Sequence, residues 1–512
     1  MFFIVFLTCF IITTPFCINA SEEKNHLQEL PKEIIGHICS YLDNRSLGAL
    51  RVTSDSIDNL LSDPKVLATS VKNNERELEF KSYNDFIRKF KKGLHTKNFV
   101  LNFEKKEDLI LFLRNVNSQK VAISLEFKGT FLYALSADFL LKNLSKYKNL
   151  KSIDLSVRMN GLSDENIKQL APALAKLSEL ETLRLKNVTD NLDRISFEGL
   201  ELLAPVLMEM KKLKEFSIGG RFDKNSALLL AQVLPTLDNI EHLAFTSCSL
   251  DAECANTVVS SLRKTKKLEA LYLGSNYLTD YNNEEDFEEF AISLGQLQNL
   301  KELYLHRNNL GSYRMGVIFS QICHMQNRLK AIEIAGNRIE DEGLMQLSCF
   351  IKTCSNLTYL GLSINNLTYK SAPVLASMLN SLKKIEQLAL GGNESLCKDF
   401  SQLAPALSNL KFLKKLWLLG TGLLEFENKN NWIILANLIE KELINLKMLS
   451  ISISYLPSNY SELINLIAPS LYNSSTLEEL YVRGFPIKFF DEKQFKNKNI
   501  QISCWNLMSE II

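Results

Sequence analysis

Leu300-Lys301-Glu302-Leu303-Tyr304-Leu305-His306-Arg307-Asn308 contains the phrase from which the rest of the chain can be read. An aliphatic side chain is followed by two variable residues, an aliphatic, one variable and an aliphatic, with asparagine three places later. The same phrase returns as Leu268/Leu271/Leu273 with Asn276, Leu329/Ile332/Ile334 with Asn337, Leu357/Leu360/Leu362 with Asn365 and Ile385/Leu388/Leu390 with Asn393. Working outward, it extends back to Leu150/Ile153/Leu155 and forward to Leu477/Leu480/Val482, with starts 27 to 33 residues apart.

Within each phrase apolar and variable side chains alternate with period two, the pattern of a short strand with one buried face. Between phrases lie amphipathic stretches such as Ala171-Pro172-Ala173-Leu174-Ala175-Lys176-Leu177, which read as helices. One strand–helix unit cannot bury its apolar face alone, so stacking predicts an α/β solenoid: a horseshoe with a parallel inner sheet and outer helices. This pattern resembles the leucine-rich repeat proteins, and its long period with a full helix resembles their ribonuclease-inhibitor-like subclass. In that family an Asn or Cys after the strand satisfies backbone groups in the turn. Here the position is held by Cys248, Asn276, Asn308, Asn337, Asn365 and Asn393.

The array of about 12 repeats spans 149–484. Weaker phrases at Leu101/Phe103 and Leu125/Phe127 mark 94–148 as degenerate capping repeats, and 485–512 breaks the period as a C-terminal cap.

Residues 27–71 fit no repeat. Pro31 suits a first helical turn, and Ile34, Ile38 and Leu42 lie along one helix face, which predicts a small all-helical module. Leu30, Pro31, Ile34, Ile38, Tyr41, Leu42, Leu47, Leu50 and Val52, followed by Asp63-Pro64, resemble an F-box, with Ile57 and Leu67 where members often carry Trp. The resemblance implies that Leu30, Pro31, Ile34, Ile38, Tyr41, Leu42, Leu47 and Leu50 contact a Skp-type adaptor of a cullin ubiquitin ligase. A helical cap for the solenoid is the simpler reading of the same residues.

Residues 1–20 carry no charged side chain, and the run Phe2–Ile12 followed by Thr13, Thr14, Pro15 and Ala20 reads as a secretory signal peptide. An F-box works in cytoplasm, so the two readings agree for an effector exported into a host-cell cytoplasm; otherwise the start is misassigned and the protein is cytoplasmic. Eight cysteines follow the signal segment, without a CxxC pair or zinc-type spacing, and read as buried structural thiols.

The 512 residues are 46% hydrophobic and 23% charged, with 59 basic against 58 acidic side chains. That balance supplies no global field for nucleic acid, and no membrane association is expected after signal cleavage. No phosphate loop, nucleophile elbow or metal-binding helix motif occurs, so neither an enzyme nor a cofactor is expected. A protein substrate should instead lie on the concave face, where variable residues of the strands project. Aromatic anchors dominate such surfaces, which singles out Tyr272, Tyr304, His306, Tyr359 and Trp417 as substrate-binding residues. Two alternatives stand beside a recruiting subunit: a repeat inhibitor or scaffold without ubiquitin machinery, and a GTPase-activator-like regulator using Arg194.

Overall fold

The computed structural model of the chain describes the backbone of 78–80, 98–103 and 122–127, then residues 150–155, 162–186, 194–279, 284–424, 428–453, 460–485 and 500–504. The signal segment 1–20 and the F-box-like module 27–71, with its eight adaptor residues, lie outside the described residues.

Two compact units are present. The first holds β1 (Leu78–Phe80), β2 (Asn98–Phe103), β3 (Ala122–Phe127), β4 (Leu150–Asp154) and β5 (Thr182–Leu185), each parallel to the next in chain order. The weak phrases at Leu101 and Leu125 thus form strands β2 and β3. Strand β1 lies ahead of them, in a three-residue alternation too short to recognise as a phrase.

Among the described residues the second unit holds eleven strands: β6 (Glu215–Ile218), β7 (His242–Phe245), β8 (Ala270–Tyr272), β9 (Glu302–Tyr304), β10 (Ala331–Glu333), β11 (Tyr359–Gly361), β12 (Gln387–Ala389), β13 (Lys415–Trp417), β14 (Met448–Ser452), β15 (Glu479–Arg483) and β16 (Gln501–Cys504). They too pair in parallel and in chain order. Strand β16 falls within 485–512, the stretch that breaks the period. Every aliphatic phrase from Leu150 to Val482 coincides with a strand, β4 to β15, so the fold is a leucine-rich repeat solenoid.

Parallel neighbours require a crossover, and helices such as Gly311–Gln321 and Glu340–Ile351 supply it. Leu303 and Ile332 on the strands, Leu305 and Ile334 just after them, and Met315, Ile318, Leu344 and Leu347 on the helices are all buried. Truncating a fully buried leucine such as Leu303 to alanine would cost about 2–5 kcal/mol.

The turn after each strand is held by a side-chain ladder. Asn337 Oδ1 accepts from the backbone N–H of Asn308 (3.1 Å) and Leu310 (3.3 Å), and its Nδ2 donates to the carbonyls of Leu305 (2.9 Å) and Ile334 (3.0 Å). Asn276, Asn308, Asn365 and Asn393 bridge adjacent turns in the same way. At the start of the series Cys248 Sγ donates to Ile218 O at 3.3 Å. These buried amides give the turn's backbone groups partners where no water can reach.

The residue preceding each ladder position adopts a left-handed backbone. It is glycine at Gly336 and Gly392, with φ of 68° and 70°, but Ser275 (φ 56°), Arg307 (φ 55°) and Ile364 (φ 53°) elsewhere. A β-branched side chain is strained in that region. Ile364→Gly is therefore expected to stabilise the protein by roughly 0.5–1 kcal/mol, read as a higher midpoint of urea unfolding. A lower midpoint would mean that the partly exposed Ile364 side chain contributes more by packing than its backbone costs.

Candidate aromatic and acidic binding face

On the sheet face opposite the helices, residues one before and one after each central leucine project together. Tyr272 and Tyr304 are exact partners in the β8–β9 register, and their rings stack with centroids 4.2 Å apart and planes 18° from parallel. Tyr304 in turn faces Tyr359 at 6.2 Å and 21°. Three of the tyrosines predicted from sequence thus form one continuous strip over β8 to β11.

Two carboxylates that sequence reasoning did not select complete this face. Glu302 receives hydrogen bonds from the Tyr272 hydroxyl (3.2 Å) and the Tyr304 hydroxyl (3.5 Å). Glu333 accepts from the Tyr359 hydroxyl and, at 2.8 Å, from the Ala335 N–H. Burial pushes the Glu333 carboxyl above the usual range, against the lowering effect of those two donors. Burial also raises the Tyr304 phenol to about 12 and moves the phenols of Tyr272 and Tyr359 upward, so all three remain proton donors at neutral pH.

Small residues make the arrangement possible. A Cβ on Gly361 would collide with the Glu333 carboxylate, and one on Gly274 would collide with the imidazole of His306. His306, two residues beyond Tyr304 on the same face, packs against Gly274 and has a buried Nδ1 with no hydrogen-bond partner. Burial, then the charges of Arg307 and Lys186, lowers its pKa to about 4, so the ring is neutral at physiological pH.

Trp417 stands apart. It lies on β13, in register with Ala389 and Ser450, and makes no ring contact among the described residues. The thiols of Cys254, Cys354 and Cys397 are raised to about 12 by burial and that of Cys248 still further, which makes them inert packing groups, whereas Cys323 and Cys349, expected from the sequence to be buried, are exposed on the helical side. Among the described residues, no group of His, Cys, Asp and Glu could hold a metal ion, and no helix is long and apolar enough to cross a membrane.

No family model matches the chain. NACHT, LRR and PYD domains-containing protein 3 of Macaca mulatta is 28% identical over 196 residues, covering 36% of this chain and 18% of that protein. The human NACHT, LRR and PYD domains-containing protein 13 is 28% identical over 186 residues, covering 36% of this chain and 17% of that protein. The chain therefore spans under a fifth of the length of these relatives. Among solved structures, an internalin from Listeria monocytogenes is 17% identical with a TM-score of 0.33, covering 70% of this chain and 92% of that one. The leucine-rich repeat-containing protein LegL7 from Legionella pneumophila is 17% identical with a TM-score of 0.34, covering 64% and 94%. With its strand phrase, its crossover helices and its asparagine ladder, the described part of this chain has the fold of a leucine-rich repeat solenoid.

Proposed function

We propose that the protein is a non-enzymatic recruiting subunit. Its open, concave sheet face grips a protein substrate, and its F-box-like module delivers that substrate to a Skp-type adaptor of a cullin ubiquitin ligase. The observation that carries the substrate half is the strip Tyr272–Tyr304–Tyr359 with Glu302 and Glu333: a run of half-buried aromatic rings and carboxylates on the sheet face opposite the helices. Tyrosines in such a setting are the residues most often found as interface anchors.

The adaptor half rests on the sequence resemblance of 27–71. Its test is co-precipitation of the full chain with a purified Skp-type adaptor, beside a Pro31→Ala/Ile34→Ala/Ile38→Ala variant. The expected result is loss of most of the recovered adaptor in the variant, since truncating buried anchors weakens binding by ~2 kcal/mol or more. Equal recovery would remove the ubiquitin reading and leave a repeat scaffold or inhibitor. Export rests on the apolar segment 1–20; the mass of the mature N-terminus should place the cut after Ala20.

A further inference from the structure

Immediately before the first aliphatic residue of each phrase the chain turns, and from β6 to β14 nine such turns follow one another along the edge where the strands begin. Side-chain amides tie them into a row. Asn239, Asn299, Asn356 and Asn445 each donate from Nδ2 to a backbone carbonyl in the turn before, of Lys211, Lys266, Asn327 and Lys411, at 2.6–2.8 Å. Of the eighteen residues that end these turns, eight are Lys or Arg and Asp238 alone is acidic. The balanced total charge of the chain conceals this, because a total does not report which edge a residue occupies.

Helix C-termini lie just ahead of the turns and favour cations, which accounts for the lysines. It does not account for Phe412 and Ile444, which are 57% and 60% exposed in consecutive turns. The other seven turns end only in charged, amide or hydroxyl side chains. The hydrogen bond from Asn445 to Lys411 O sets the two apolar turns side by side. Exposed Lys383 and Lys384 form the turn before them, and Lys415 and Lys441 are exposed close by in the chain. Against these stand Glu440 and Glu442, the latter paired with Lys411 at 3.4 Å. Two apolar side chains are too few to form the core of a protein interface, which takes a shaped patch of about 800 Å² a side. A row of cations with two apolar tips needs no shape complementarity. It matches a fluid anionic surface, where lysines meet the head groups and apolar tips enter the acyl boundary.

We infer that this edge docks on an anionic lipid bilayer through Phe412 and Ile444, held there by the lysines of the neighbouring turns. The edge is separate from the sheet face, so the assignment stands or falls apart from the substrate reading. The test is co-sedimentation of the full chain with vesicles of phosphatidylcholine alone, or with about 30% phosphatidylserine added. The chain should bind the phosphatidylserine vesicles more tightly and lose most of that preference at high salt. Phe412→Ser/Ile444→Ser, checked for an unchanged unfolding midpoint, should weaken binding at least about tenfold, and Lys383→Gln/Lys384→Gln roughly tenfold. Tyr313→Ser/Met345→Ser removes comparably exposed apolar groups from the helices and should leave binding unchanged. No gain from phosphatidylserine, an equal loss from the helix variant, or wild-type binding by both turn variants would overturn the assignment. The last result would trace adhesion to another segment such as 1–20. Absence of any vesicle binding would overturn it too, and a benzophenone amino acid at position 412 would then show whether an acidic protein occupies the edge instead.

Discussion

Asn337→Ala is expected to lower the unfolding free energy by roughly 3–5 kcal/mol. The substitution removes one small side chain but strands the backbone N–H groups of Asn308 and Leu310 in a dry turn, while the carbonyls of Leu305 and Ile334 keep the Nδ2 donors of Asn308 and Asn365. A buried donor left without a partner costs about 1–3 kcal/mol, and two are orphaned here. Repeats are stabilised mainly by their neighbours, so a break between β9 and β10 should also split the urea transition into two. Asn337→Asp separates hydrogen bonding from shape. It keeps the acceptor but turns a carboxylate on the Leu305 and Ile334 carbonyls, so it should be at least as damaging at pH 7 and partly relieved in acid, where the protonated group can donate. A loss below ~1 kcal/mol for Asn337→Ala would mean that water reaches the turn.

The second large effect is a loss of stability on acidification that traces to His306. Its folded pKa of about 4 lies below the ordinary 6.5 because burial, with Arg307 and Lys186 nearby, disfavours the imidazolium. Above pH 6.5 the ring is neutral in both states and contributes no pH dependence. Between pH 6.5 and 4 the unfolded chain binds a proton that the folded chain refuses, so stability falls with pH, by about 3 kcal/mol over the window. Glu333 acts in the opposite sense: its raised folded pKa means that protonation on acidification relieves a cost already present at neutral pH. Tyr272, Tyr304 and Tyr359 keep their protons throughout this range, and Glu302 faces the same strip. His306→Gln isolates the imidazole. The variant should lose about 3 kcal/mol less than the wild type between pH 7 and 4 in urea unfolding followed by circular dichroism. Parallel pH profiles for the two proteins would show that the ring is solvated.

The repeat fold was readable because it is written locally. Leu300, Leu303 and Leu305 with Asn308 state a whole turn of the solenoid within nine residues, and every return of the phrase repeats the statement. Tyr272, Tyr304, His306 and Tyr359 could be picked out for the same reason, since strand parity tells which side chains leave the core. Glu302, Glu333, Gly274 and Gly361 were not readable. Their meaning lies across the sheet, between residues separated by roughly one repeat: Gly361 matters because Glu333 leans over it, and Gly274 because His306 does. A sequence shows such pairs only once the register of neighbouring strands is known. Trp417 illustrates the converse, an aromatic at the right position whose neighbours Ala389 and Ser450 give it nothing to stack on. Strands β1 and β16 escaped because three or four residues outside the regular period carry too little pattern.

Site-specific photocrosslinking tests the binding account most directly. A benzophenone amino acid is placed at Tyr304, Tyr359 or Trp417 on the open sheet face, and at Tyr313 or Met345, which are exposed on helices Gly311–Gln321 and Glu340–Ile351. The account predicts a discrete protein adduct from positions 304 and 359, weakened by Tyr272→Ala on the neighbouring strand and absent from 313 and 345. Adducts from the helix positions alone, or equal adducts from both faces that ignore Tyr272→Ala, would contradict it.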